Sequence, residues 1–353
     1  MKSPAKSITE ALDRLQATRQ AKVAAQIEKS MQPELFAADN SIPEIPLSPA
    51  ELAVVTPASS KQEQAARKRS ALLPVRHVNR GFFLCDMFDY ALKDDGASME
   101  APIFTLSTRP DLSVWHWDSK DGNRSVTVTP SVQGRATQFD KDVLIYVVSQ
   151  MTEAMNRGRE DANTRVVRFV VHDYLVSTNK QTGGKEYQRL EIAFERLAGT
   201  RIKTDIKTGG QRVKEGFGII ERWKIIEKSP DDERMIAVEV TLSEWLFNAV
   251  QAHEVLTIHP DYFRLRKPLE RRLYELARKH CGQQTMWRIG LALLHEKCGS
   301  KAEIKELRRA IREIILADTM PDYSMCIDQE NDQVIFYTKN PRKLITGIAK
   351  RTS

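Results

Sequence analysis

The side chains of this chain best placed to do chemistry are cations set at helical spacing. Lys185, Gln188, Arg189 and Arg196 fall on one side of a segment, 185–198, whose Tyr187, Leu190, Phe194 and Leu197 recur on the other. A second set, Lys301, Lys305, Arg308, Arg309 and Arg312, is opposed in the same way by Ile304, Leu307, Ile311, Ile314 and Ile315. Ammonium and guanidinium groups donate hydrogen bonds and accept none, which suits phosphate oxygens and, for a forked guanidinium, the acceptor pair on a guanine edge. A helix carrying such a row fits the major groove of duplex DNA. The same pattern also suits an amphipathic helix with a solvated face on any α+β protein.

The elements around these rows decide between the two. After the first row, Gly199 ends the helix, 201–207 alternates like a strand, and Thr208-Gly209-Gly210 is a hairpin turn followed by a returning segment, 218–226. Lys203, Lys207, Arg212 and Lys214 would stand on this basic ribbon and hold phosphates as the wing of a winged helix. Upstream, the pattern predicts small strands at 103–107, 113–117 and 125–129, a helix over 139–157, a strand at 165–170 and a short helix at 172–177. Downstream come a strand at 235–241, a joining helix from 242 to 251, a helix over 269–280 with Pro268 at its first turn, and a short helix over 287–297. The long helix from 301 to 317 then leads to a hairpin of 324–328 and 333–338. A helix, turn, helix, hairpin unit therefore occurs twice. The expected fold class is α+β, with two tandem winged-helix domains at 76–245 and 246–340. Before them lie an N-terminal helix and disordered linker, 1–75, and after them a basic tail, 341–353.

Charge agrees with a polyanionic partner. The chain has 353 residues with a formal net charge of +7 and a pI near 9.1. Residues 61–80 carry Lys61, Arg67, Lys68, Arg69, Arg76 and Arg80 against Glu63, either a solvated run or an arm along DNA phosphates. No apolar run reaches the length of a membrane span and no secretory segment opens the chain, so a cytoplasmic location is expected, with no membrane partner. Four scattered cysteines do not make a disulfide framework in a chain this long. Residues 7–30 form a candidate helix opened by Ser7 and Glu10, and 31–60, with IPEIPLSP, reads as an extended linker. Within it Gln32, Leu35 and Phe36 resemble the short peptide with which bacterial proteins dock on the replicative sliding clamp, although Pro33 departs from that pattern. A pair of linker hydrophobes is the alternative.

Other chemistries lack their residues. A nicking tyrosine enzyme needs a metal held by His-x-His, and that motif is absent. The glycines of Thr182-Gly183-Gly184-Lys185 lack the spacing and the Lys-Ser or Lys-Thr ending of a phosphate loop, so ATP is not indicated. His280, Cys281, His295 and Cys298 could gather around zinc, but packing explains them as well. Trp115, Trp117, Trp223, Trp245 and Trp287 sit in apolar periodic segments and read as core. No catalytic residue, metal or cofactor is expected, and the chain is not read as an enzyme.

Three blocks, KDDGASMEAPIFTLSTRPD (93–111), VTVTPSVQGRATQFDKDVLIYVVSQ (126–150) and TGGKEYQRLEIAFERLAGTRIKTDIKTGG (182–210), resemble the replication initiator protein A family of bacterial plasmids. The resemblance runs from about 80 to 340. It implies two winged-helix domains that recognise repeated double-stranded DNA elements at a plasmid origin and start replication there. It further implies a monomer and homodimer equilibrium as in initiators of iteron plasmids, with the host initiator protein and replicative helicase as partners. A winged-helix transcriptional repressor with no replication role is the second function considered.

Overall fold

The computed structural model describes residues 93–341 apart from 96–98, 100, 119–122, 209–210, 230–231 and 283. The expected helix at 7–30, the clamp-like peptide at Gln32, Leu35 and Phe36, the basic arm at 61–80 and the tail beyond 341 lie outside the described residues.

In chain order the first part runs β1 (Lys93–Asp95), β2 (Trp115–Asp118), β3 (Arg124–Thr129), α1 (Lys141–Asn156), β4 (Val166–Val170), α2 (Val171–Ser177) and α3 (Gly184–Gly199). It continues with β5 (Arg201–Thr208), β6 (Gln211–Gly218), β7 (Ile220–Ser229), β8 (Asp232–Leu242) and α4 (Glu244–Gln251). The second part is β9 (Val255–Thr257), α5 (Pro268–Cys281), β10 (Met286–Gly290), α6 (Leu291–Cys298), α7 (Ile304–Ala317), β11 (Tyr323–Asp328) and β12 (Gln333–Thr338). The order helix, strand, helix, helix, hairpin appears as α1-β4-α2-α3-β7-β8, with the β5–β6 hairpin inserted before β7, and again without insertion as α5-β10-α6-α7-β11-β12. The sheets agree as well: their strand orders are β4-β8-β7 and β10-β12-β11, so the last strand is central in both. That mixed α/β architecture is consistent with winged-helix folds.

The hairpin directly after α3 corrects the sequence reading. Its returning strand is β6, 211–218, and not the expected 218–226, most of which falls in β7; β5 and β6 do not belong to the three-stranded sheet but extend the β2–β3 pair into a four-stranded sheet ordered β2-β3-β5-β6. Ile202 is the reason: it stands opposite Val128 on one side and Phe217 on the other, and together they close the apolar face of that sheet. The position of the wing falls instead to β7–β8, strands of 10 and 11 residues. A second correction is the helix expected at 287–297, which is strand β10 followed by α6. Trp287 pairs with Phe336 and Ile289 with Val334, and the alternation Trp-Arg-Ile satisfies a sheet edge before Leu291 starts the helix. The strand expected at 103–107 reduces to one bridge, Thr105 to Thr137.

Two apolar cores result. Phe194, Leu197, Val148, Val240 and Leu246 belong to the first, so α4 packs there, while Leu273, Leu276, Ile311, Ile314 and Phe336 belong to the second. Helix α1 serves both, sending Ile145 to the second core and Val143, Tyr146 and Val147 to the first.

The contact between α1 and α5 is ionic. Lys141 Nζ lies 2.7 Å from Asp94 and 3.1 Å from Glu275, and the Tyr262 hydroxyl donates to Glu275 at 2.6 Å. Gln138 donates to the same carboxylate. Asp142 accepts from Arg271 and from Lys180, the latter at 2.6 Å. Arg272 donates to the carbonyls of Met99 at 2.9 Å and Lys297 at 2.7 Å. Glu270, Arg271, Arg272 and Glu275 are all buried, although they lie among the charged positions of LERRLYELARKH. Both faces of α5 are covered, one by its own core and one by α1; Arg271, Arg272 and Glu275 survive burial among opposite charges and, for the arginines, carbonyls, while Glu270 accepts from the Lys267 N–H and the Thr319 hydroxyl.

Candidate nucleic-acid interface

Helix α3 is fixed by Leu190, Ala193, Phe194 and Leu197, with the Phe194 ring stacked 5.7 Å from Trp223 of β7. Burying each large apolar side chain is worth roughly 1.5–3 kcal/mol, enough to hold the helix by one face. The outward crest consists of Lys185, Gln188 and Ile192, all exposed. Arg189 is exposed and pairs with Glu186 one turn back. Arg196 differs from the sequence reading: its guanidinium forks onto Asp140, both bonds at 2.6 Å, and its side chain is only 19% exposed. It ties α3 to the residue that precedes α1, so it is a brace within the protein. Glu191 and Glu195, which the cation count passed over, are exposed beside the crest.

Helix α7 starts at Ile304, not at Lys301, and buries Leu307, Ile311 and Ile314. Lys305 and Arg312 are exposed and carry no carboxylate partner among the described residues. Arg309, with 71% of its side chain exposed, pairs with Glu306 at 2.7 Å and approaches Glu313 at 3.8 Å. Arg308 leans to the flank and bonds Asp332, at the turn of the β11–β12 hairpin, at 2.7 Å. Lys301 lies before the helix with its ammonium 2.6 Å from Asp111. The five-cation row therefore resolves into a crest of Lys305, Arg309 and Arg312, a brace at Arg308 and a tether at Lys301. Ile304, expected inside, is 41% exposed because it opens the helix.

On the four-stranded sheet, Lys203 and Lys214 are exposed, Lys214 standing 4.0 Å from Asp205. Lys203 is opposite Thr127 in register, and Thr127 opposite His116, whose Nδ1 lies 2.8 Å from the Thr127 hydroxyl. Lys207 and Arg212 face one another across the register next to the hairpin turn. The β5–β6 ribbon thus follows α3 directly in the chain but belongs to a different sheet from β7, against which α3 stacks Phe194. None of the carboxylates that hold Arg196, Arg308 and Lys301 was legible from helical spacing. They lie 56, 24 and 190 residues away along the chain.

The histidines and cysteines weighed for zinc have packing roles. His280 stacks on Trp287 with ring centroids 4.3 Å apart, and the His295 ring nitrogen meets the Ala302 carbonyl at 2.6 Å. Cys281 and Cys298 are buried, and burial pushes the Cys298 thiol up to about 12. Among the described residues no helix is long and apolar enough to cross a membrane.

Comparison with known proteins extends this geometry. Residues 93–325 match the family model of replication initiator protein A. A protein of Wigglesworthia glossinidia brevipalpis, provisionally named a replication protein, is 31% identical over 273 residues, which are 76% of this chain and 97% of that protein. The crystal structure of domains 2 and 3 of RctB superposes with a TM-score of 0.50 at 15% identity, over 69% of this chain and 98% of that one, a likeness of fold. The family match begins at β1 and ends inside β11, taking in the first repeat, the ionic junction and most of the second. On that extent the chain belongs to the replication initiator protein A family.

Proposed function

We propose that this protein is a plasmid replication initiator which binds repeated elements of double-stranded origin DNA through two tandem winged-helix modules and brings host replication proteins to them. The observation that carries the reading is the recurrence of one element order and one strand order, each time with a helix whose outward crest is polar or cationic. In this reading α3 and α7 lie in successive major grooves, and Lys185, Gln188, Lys305, Arg309 and Arg312 meet base edges and phosphates. Lys203, Lys207, Arg212 and Lys214 hold phosphates from the four-stranded sheet. Arg189 reaches the duplex only by leaving Glu186. Strand separation then comes from binding energy spent on deforming the duplex. The protein acts by binding and has no chemistry of its own.

Host initiator protein, replicative helicase and sliding clamp are the partners this role calls for, and exchange between monomer and homodimer would set copy number. The test is a plasmid bearing the gene and its neighbouring DNA, placed in a host that cannot otherwise replicate it, with footprinting of the purified protein on the same DNA. Maintenance of the plasmid together with protection of repeated elements is expected. Protection with transcriptional repression but no maintenance would replace the initiator by a repressor.

A further inference from the structure

Asp111 holds two cations unequally. Its side chain is 6% exposed and accepts from the Thr105 hydroxyl at 2.9 Å, the Ser113 hydroxyl at 2.8 Å, the Ser113 backbone N–H at 3.1 Å and Lys301 Nζ at 2.6 Å. Lys301 also donates to the Ser113 hydroxyl oxygen. The second cation, Arg135, is fully buried, and its NH2 stops 3.6 Å from the Asp111 carboxylate, beyond hydrogen-bond distance. None of its three side-chain nitrogens has a hydrogen-bond partner among the described residues. It is kept close all the same, because its backbone N–H donates to the Asp111 carbonyl at 2.8 Å. A buried guanidinium without hydrogen bonds is costly. Lys301, by contrast, has 54% of its side chain exposed and stands three residues before α7, the helix with the cationic crest.

We propose that Lys301 is a phosphate contact held in reserve: on binding DNA its ammonium leaves Asp111 for a backbone phosphate, and Arg135 closes the gap and takes its place on the carboxylate. Asp111 is paired in both states, Lys301 exchanges one anion for another, and Arg135 gains the charge-assisted bonds it lacks in the free protein. The exchange therefore favours the bound state. Burial alone would raise the Asp111 pKa, but hydrogen bonds from Lys301, Ser113 and Thr105 outweigh it and hold the carboxyl well below the ordinary range, so the acceptor is ionised in the free protein. The inference rests on the DNA-binding reading above.

The experiment compares wild type, Arg135→Met, Lys301→Gln and the double variant by urea unfolding of the free protein and by salt-dependent affinity for the footprinted repeat. Arg135→Met should leave the unfolding midpoint unchanged or raised, since it removes a buried unsatisfied charge, and yet lower affinity about tenfold, the worth of a charge-assisted hydrogen bond. Lys301→Gln should shrink the slope of log affinity against log salt by about 0.9, the share of one phosphate contact. The double variant should bind no more weakly than Lys301→Gln, because Arg135 acts only after Lys301 has left. Additive losses in the double variant, or an Arg135→Met that loses stability but keeps affinity, would overturn the exchange. Lys301 is on the surface, so its variant folds even where Arg135→Met does not, and an unchanged salt slope in Lys301→Gln is enough to sink the idea. Wild type that prefers no repeat over random duplex would bring down the DNA-binding reading itself, and this inference with it.

Discussion

Replacing Glu275 by Leu tests whether the ionic junction between α1 and α5 is as dry as its geometry implies. Glu275 is completely buried and receives Lys141 at 3.1 Å, Arg272 at 3.3 Å, the Tyr262 hydroxyl at 2.6 Å and the Gln138 amide. Leucine nearly fills the space but accepts nothing. Lys141 keeps Asp94 at 2.7 Å, and Arg272 keeps the carbonyls of Met99 and Lys297, so neither cation is wholly abandoned. The Tyr262 hydroxyl and Gln138 amide do lose an acceptor, at about 1–3 kcal/mol for each stranded buried donor. One positive charge also goes unbalanced. The total falls at about 3–5 kcal/mol, in line with breaking one side of a buried ion pair. A domain's whole stability is about 5–15 kcal/mol, so urea unfolding should show the midpoint falling by roughly a fifth or more. A loss under about 1 kcal/mol would mean water already solvates these charges, and the account of what joins the two repeats would be wrong.

Arg196→Ala should cost about 1–3 kcal/mol in urea unfolding, since it leaves the buried Asp140 carboxylate with the Thr137 N–H but no cation, while leaving the salt dependence of DNA binding as in wild type. Gly299→Ala should lower the melting temperature: Gly299 has φ +63°, costly by about 1–2 kcal/mol for any other residue, and the new Cβ would sit 2.6 Å from Pro102 Cβ. Because the folded pKa of Asp111 is depressed, its stabilisation is complete above the unfolded carboxylate pKa of about 3.9 and lost as pH falls below it. The difference in melting temperature between wild type and Asp111→Asn should accordingly narrow from pH 5 towards pH 2; a constant difference would refute the linkage.

Periodicity and turn chemistry made α3, α7 and the 323–338 hairpin legible, because one buried stripe and one glycine or asparagine-rich turn are local signals. Sheet membership was not. Thr208-Gly209-Gly210 announces that 201–208 pairs with the strand after the turn, but nothing nearby says that Val128, some 74 residues earlier in register with Ile202, claims the other edge. Strand β10 was hidden because five residues adjoining a helix are too short a stretch for the alternation Trp-Arg-Ile to be told from more helix. The buried charges of α5 leave no local signal, because spacing records which residues lie opposite the leucines, and not whether a second helix covers them. Arg196, Arg308 and Lys301 were assigned outward for the same reason: a cation's partner is a tertiary fact.

If α3 and α7 hold DNA as proposed, their charge divides that work unequally. Helix α3 carries three cations, Lys185, Arg189 and Arg196, against three acids, Glu186, Glu191 and Glu195, and is neutral. Helix α7 carries four, Lys305, Arg308, Arg309 and Arg312, against two, Glu306 and Glu313. Counterion release follows phosphate contacts, so the salt dependence of binding should come mainly from the second repeat. A neutral helix gains little from the backbone and is suited to reading base edges: Gln188 has the donor and acceptor pair that matches adenine, and Glu191 or Glu195 can accept from cytosine. Lys305→Ala should accordingly reduce the salt slope by about 0.9 and weaken repeat and random duplex together. Gln188→Ala should leave the slope alone and cost about 1–3 kcal/mol on the repeat only. If Gln188→Ala instead weakened both duplexes equally, α3 would not be reading bases, and the first repeat would owe its place in the complex to the phosphates held by β5 and β6.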